Sequence, residues 1–166
     1  MTESLDRILV PVDFSAHSEK AIRYATTLAN KFGARLSLLH VIEDPFVTGA
    51  WQSEVFVPNI PELLNDLIKA AKAQMAERKK DLAAHGFIIE TEVITGRPAT
   101  AIVEQASTGR FDLIVMGTHG RTGLSHAFLG SVAERVVQKA PCPVLTVREA
   151  APAAAHVRSV ATAAAV

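Results

Sequence analysis

The chain has 166 residues, 49% apolar and 20% charged, with Lys+Arg and Asp+Glu equal at 17 each. That length suits one domain able to bury a core, and the zero net charge speaks against a general nucleic-acid binder, which carries a basic excess. No apolar run approaches the roughly 20 residues that span a bilayer, and Cys142 is the only cysteine, which excludes an intrachain disulfide and a cysteine zinc cluster. The opening MTESLDRILVPVDFS has acidic residues and no signal-peptide layout. A cytoplasmic protein with neither nucleic acid nor membrane as partner is expected.

Arg7–Asp13 (RILVPVD) is a short apolar run rich in β-branched residues and predicts a strand, with Pro11 near its end, where a missing N–H matters least. Ser15–Gly33 carries Ala21, Ile22, Ala25, Leu28, Ala29 and Phe32 at helical spacing, and Gly33 suits the position just past a helix. Ala34–Val41 predicts a second strand. The stretch from Ile42 to Asn59 is too long and irregular for an ordinary connection; it holds Phe46, Trp51 and Phe56 and is expected to fold over a ligand as a lid. From Pro61 the helical period returns, with Leu64, Leu67, Ile68, Ala71 and Met75 as a core stripe and Gly86 as the stop. Phe87–Ile94 alternates as a third strand, and Pro98 opens a helix through Ala106. Leu113–Gly117 is apolar on both faces, as a central parallel strand should be. A helix over Ser131–Ala140 and a fifth strand over Cys142–Val147 follow, with Cys142 expected as a small buried hydrophobe. Beyond Arg148 the chain turns alanine-rich and adds little to any core, so residues 1–148 are expected as the domain and 149–166 as a tail.

Strict alternation of short strands and helices predicts an α/β fold: a single doubly wound, Rossmann-like sheet of five parallel strands with helices on both faces. Ligands of such sheets bind beyond the carboxyl ends of the strands, where the strand order reverses. Strand order is not readable from the sequence, but if the first and fourth strands are neighbours, Asp13 and Gly117 face one crevice. Asp13 then either contacts a ligand, as a metal or ribose-hydroxyl partner, or caps the following helix.

The stretch GTHGRTGLSHAFLGS, Gly117 to Ser131, spends four glycines between a buried strand and a helix. A helix start presents unpaired N–H groups in a positive field, which suits phosphate. Gly130 and Ser131 sit at that start, and His119 and Arg121 are further candidates for phosphate contact. The alternative is a loop whose glycines only make turns. No GK[ST] follows the glycines, the first strand–helix turn reads DFSAHS rather than GxGxxG, and GLSHA is not a GxSxG elbow, so three better-known sites are excluded. His17, His40 and His85 lack metal-like spacing and are expected at the surface or satisfied locally.

The stretch resembles the G-2X-G-9X-G-(S/T) signature of the universal stress protein family in its ATP-binding branch. Gly117 and Gly120 supply the first pair, nine residues from Arg121 to Leu129 follow, and Gly130 and Ser131 complete it. The resemblance runs from Leu5 to about Arg148 and takes in ILVPVDFS, LLHV, DLIVMGTHGR and APCPVLTV. It implies ATP, with Mg2+ or Mn2+, held through its phosphates near Gly120, Gly130, Ser131 and Val132. It places Pro11, Val12, Asp13 and Val41 at the adenosine end and Met116 and Gly117 near the ribose. It further implies a cytoplasmic, dimeric stress-response protein that acts as a nucleotide-dependent switch with slow or no hydrolysis. The last strand, expected at a sheet edge, predicts a homodimer through Val144–Val147. The competing expectation is a dimeric protein-interaction module that does not use nucleotide.

Overall fold

Ile8, Leu9 and Val10 are fully buried, which for consecutive strand residues requires cover on both faces of the sheet. The computed structural model of the chain, which describes residues 4–43, 60–118 and 129–148, supplies that cover. Strands β1 (Arg7–Pro11), β2 (Arg35–Glu43), β3 (Ile89–Gly96), β4 (Leu113–Gly117) and β5 (Val144–Val147) alternate with helices α1 (Ala16–Phe32), α2 (Ile60–Ala84), α3 (Pro98–Thr108) and α4 (Ser131–Lys139). All five strands are parallel, in the order β3-β2-β1-β4-β5. The fold is therefore the doubly wound α/β sheet that the alternation predicts, with β1 central and β4 its neighbour. The final strand, β5, lies at an edge.

Alternation along the strands divides the core into two layers. Ile8, Val10, Leu36, Leu38 and Val115 meet Ala21, Ile22, Ala25 and Ala29 of α1 and Met75 of α2. On the opposite face Leu9, Leu39, Ile114 and Met116 meet Ile102 and Ala106 of α3 and Ala133 and Val136 of α4. Each fully buried Leu, Ile or Met in these layers contributes roughly 1.5–3 kcal/mol from removal of apolar surface.

The ends of α1 are set locally. The Ser15 side chain accepts a hydrogen bond from Ser18 N at 3.3 Å, and Gly33, at φ 72°, closes the helix by donating its N–H to Ala29 O. Asp13 is not the cap. Its Oδ1 accepts from Ser15 N at 3.0 Å and Ser15 Oγ at 2.6 Å, so it braces the residue that caps.

Several boundaries and faces depart from the sequence expectation. The first strand stops at Pro11, two residues before Asp13, because the backbone turns at Phe14 into the left-handed region, φ 65°. The second runs on to Glu43, past Val41, because β3 stays paired with it as far as Glu43 opposite Gly96. The third begins at Ile89, and the fifth begins at Val144, since Cys142 is flanked by two prolines that lack a ladder donor. Phe32 is 54% exposed, and Leu67 of the expected α2 stripe is 48% exposed, with only Ala71 and Met75 of that stripe buried. At 1.5 Å per residue the 25-residue α2 is about 37 Å long, while the eight-residue β3 beside it spans about 26 Å. The helix is longer than the strand beside it, and the buried members of its stripe, Ala71 and Met75, fall in its middle.

Candidate functional site

The chain starts its sheet in the middle. From β1 it moves to β2 and β3 on one side, then returns to lay β4 and β5 on the other. The connections that follow β1 and β4 therefore leave in opposite directions, and the carboxyl ends of these two strands mark the place where open α/β sheets bind their ligands. Ile8 pairs with Leu113 and Leu9 with Ile114, and the same register puts Pro11 level with Met116. Pro11, Val12 and Asp13 thus stand beside Met116 and Gly117, as required of a shared crevice.

The side chains of these residues do not all face that crevice. Val12 is 3% exposed and packs in the α1 layer, while Met116 is buried in the α3/α4 layer. Only their backbone groups are left for a ligand, and Val12 N already donates to Leu39 O at 2.8 Å. Val41 is half-buried against the α3/α4 core and lies inside β2 opposite Ile94. Gly117 has a packing reason to be glycine, because a Cβ there would come within 2.8 Å of His17 Cβ on the first turn of α1.

A clasp joins β4 to α4. Thr118 N donates to Val147 O at 3.0 Å, and Gly130 N donates to Thr118 O at 2.8 Å. The two ends of the glycine stretch are thereby held together, and Ser131 begins α4 next to the end of β4. Gly130 is the N-cap, with φ −62° and ψ 150°, and offers no side-chain acceptor to the first-turn N–H groups. Ser131 is exposed and Val132 half-buried at this helix start. Gly120 and Arg121, with His119 and His126, lie outside the described residues, as do Phe46, Trp51 and Phe56.

Next to Ser131 and Val132 is a cavity of about 320 Å³, also lined by Glu43, Arg97, Pro98, Ala99, Thr100 and Arg135. It separates the N-terminal ends of α3 and α4, with the end of β2 at its rim. Glu43, Arg97, Thr100 and Arg135 were not among the residues the sequence singled out. The available signal was Gly96-Arg97-Pro98: Pro98 heads α3, and Gly96, at φ 153°, turns the chain into it. Among the described residues no group of three or more His, Cys, Asp or Glu is arranged to hold a metal ion. His40 is buried, with Nδ1 2.6 Å from Val12 O, and His85 Nδ1 lies 2.8 Å from Asp81 O, so both are satisfied locally. Cys142 is only half-buried; burial and then the charge of Asp112 push its thiol above the ordinary value. No helix among the described residues is long and apolar enough to cross a membrane.

An open, doubly wound parallel α/β sheet whose strand order reverses between β1 and β4, with a glycine-capped helix beside that reversal, defines the class. Residues 4–148 match the model of the universal stress protein family, and the chain belongs to that family. Universal stress protein MJ0531 of Methanocaldococcus jannaschii is 39% identical over 149 residues, which cover 86% of this chain and 82% of that protein. The solved structure of MJ0577, a universal stress protein of the same organism, superposes with a TM-score of 0.77 at 33% identity, covering 90% of this chain and 100% of that one. A universal stress protein solved in complex with cAMP superposes with a TM-score of 0.62 at 25% identity, covering 88% of this chain and 98% of its own.

Proposed function

We propose that this chain is a nucleotide-dependent regulatory protein of the stress response that binds ATP at the β1/β4 crevice and hydrolyses it slowly or not at all. The observation that carries this is the clasp from Gly130 N to Thr118 O, which sets a helix start with no side-chain cap beside the carboxyl end of β4. First-turn N–H groups in the field of a helix dipole suit phosphate oxygens. The phosphates are assigned to Gly120, Gly130, Ser131 and Val132, with Arg121 beside them. Adenosine is assigned to Pro11, Val12, Asp13 and Val41, and the ribose to Met116 and Gly117. Met116 takes part through its backbone and Val12 through the second lone pair of its carbonyl oxygen, since their side chains are buried and Val12 N and O already bond Leu39 and His40. Mg2+ or Mn2+ would ride on the phosphates, the usual way Mg2+ is held. The cAMP complex of a relative supports a nucleotide as the ligand class. The protein is proposed to work in the cytoplasm as a homodimer joined along Val144–Val147, with the domain over 1–148 and 149–166 as an accessory tail.

Thermal shift with ATP against adenosine is the test. ATP at about a thousand times its Kd adds roughly 4 kcal/mol, a rise of about 8–16 °C for a domain of this size. Ser131→Ala removes a hydrogen bond to a charged group, so ATP weakens about tenfold to a hundredfold while adenosine is indifferent. Absence of an ATP shift in the wild type, or equal weakening of ATP and adenosine, defeats the phosphate assignment. The function then passes to an interaction module built on the β5 edge, where Leu145 is 37% exposed.

A further inference from the structure

The turn that leads from β1 to α1 is held from the side opposite the cavity, by residues outside the glycine signature. His40 of β2 is 5% exposed, and its Nδ1 lies 2.6 Å from Val12 O. A carbonyl oxygen only accepts, so Nδ1 carries the proton and donates it. With Val12 N donating to Leu39 O, both backbone polar groups of Val12 are tied to β2.

Two residues later Phe14 adopts φ 65°. An aromatic residue in this region is strained and stays there only when its surroundings hold it. The Phe14 ring lies against the His40 ring, centroids 4.4 Å apart and planes tilted by 33°. The Arg78 guanidinium of α2 covers it at 4.9 Å. Arg78 is itself aimed by Glu19 of α1, whose Oε1 accepts from Nε at 2.7 Å and from Nη2. The ring is thus clamped between β2 and α2. Asp13 stands between two pinned residues, its Oδ1 engaged by Ser15.

The geometry points to His40, Phe14 and Arg78 as positioning residues that hold the Val12–Ser15 turn in the shape the nucleotide meets. This rests on the nucleotide proposal above, in which Val12 and Asp13 touch adenosine. Without the clamp, Phe14 relaxes to negative φ and Asp13 swings with it. The clamp supplies preorganisation, so its loss lowers affinity without removing any ligand contact.

The test is ATP binding by the full chain, measured by titration calorimetry. Phe14→Ala is the informative variant, because alanine keeps the cost of φ 65° and loses the ring that holds the residue there. It is expected to bind ATP about tenfold more weakly, as is His40→Leu, which orphans Val12 O. His40→Asn keeps an N–H donor near the place of Nδ1 and is expected to bind within about threefold of wild type. Binding by Phe14→Ala and His40→Leu within about twofold of wild type overturns the assignment. So does a His40→Asn protein as weak as His40→Leu, which a merely space-filling histidine would give. A wild-type chain that does not bind ATP overturns the nucleotide proposal instead. The clamp is then judged on the free protein, where amide hydrogen exchange at Ser15 rises about tenfold in His40→Leu if the turn is held as described and is unchanged if it is not.

Discussion

Replacing Gly117 with alanine puts the close approach of α1 and β4 to a quantitative test. The added Cβ would lie 2.8 Å from His17 Cβ, 3.1 Å from His17 C and 3.2 Å from His17 O. None of these is the free end of a flexible side chain, so the first turn of α1 must shift as a unit. Overpacking of this kind costs about 1–3 kcal/mol. The smaller conformational freedom of alanine in the unfolded chain returns about 0.4–1 kcal/mol. The net loss is about 1–2 kcal/mol, which lowers the melting temperature by about 2–8 °C at this domain size. Calorimetric unfolding of wild type, Gly117→Ala, His17→Gly and the double variant gives the coupling between the two positions. Removing the His17 Cβ relieves the shortest contact, so the double variant should be more stable than the sum of the single changes by about 0.5 kcal/mol or more. An unchanged melting temperature for Gly117→Ala, or strict additivity in the cycle, would refute a steric reason for this glycine and return it to the ligand.

Gly33→Ala should cost about 1 kcal/mol by thermal unfolding, because φ 72° strains a Cβ although nothing lies within 4 Å of it; Gly33→Asn should cost less. Thr146→Pro in the edge strand should abolish the proposed homodimer, because Pro143 O and Val147 O accept from Ile114 N and Thr118 N on the β4 side and the alternate Thr146 N–H therefore faces the open edge; the expected sign is a monomer mass by light scattering at high micromolar concentration, where the wild type should be dimeric. Cys142 should react with iodoacetamide at pH 8 several-fold more slowly than a cysteine in an unstructured peptide, since a raised thiol pKa lowers the thiolate fraction.

The sheet was legible where the code is local. Leu113–Met116 is apolar at every position, which marks a strand covered on both faces, and the observed β4, Leu113–Gly117, has the expected bounds. Gly33 and Pro98 mark helix ends by backbone chemistry alone, and both stand at such ends. Spacing cannot tell which strands are neighbours, so the meeting of Pro11–Asp13 with Met116–Gly117 was conditional until the order was seen. Nor does it tell which positions of a helical stripe reach the core: Leu67 and Phe32 fit the period and are exposed. Side-chain direction was equally hidden. Val12 and Met116 turn into opposite cores, Asp13 leans on Ser15, and Arg97 and Arg135 reach one cavity from helices more than twenty residues apart in the chain.

The clasp between Thr118 and Gly130 has a further consequence for how this surface can be altered. The two strands of chain that frame residues 119–129 are tied at their base to each other and, through Thr118 N, to β5. The start of α4 therefore has an anchor of its own in these two hydrogen bonds and in Leu129, which packs against the core. Doubling such a loop costs only about 0.6 kcal/mol of closure entropy. A peptide epitope or sensor grafted between Thr118 and Gly130 should leave the five-stranded frame standing, which makes this position a natural port for engineering new recognition into the domain.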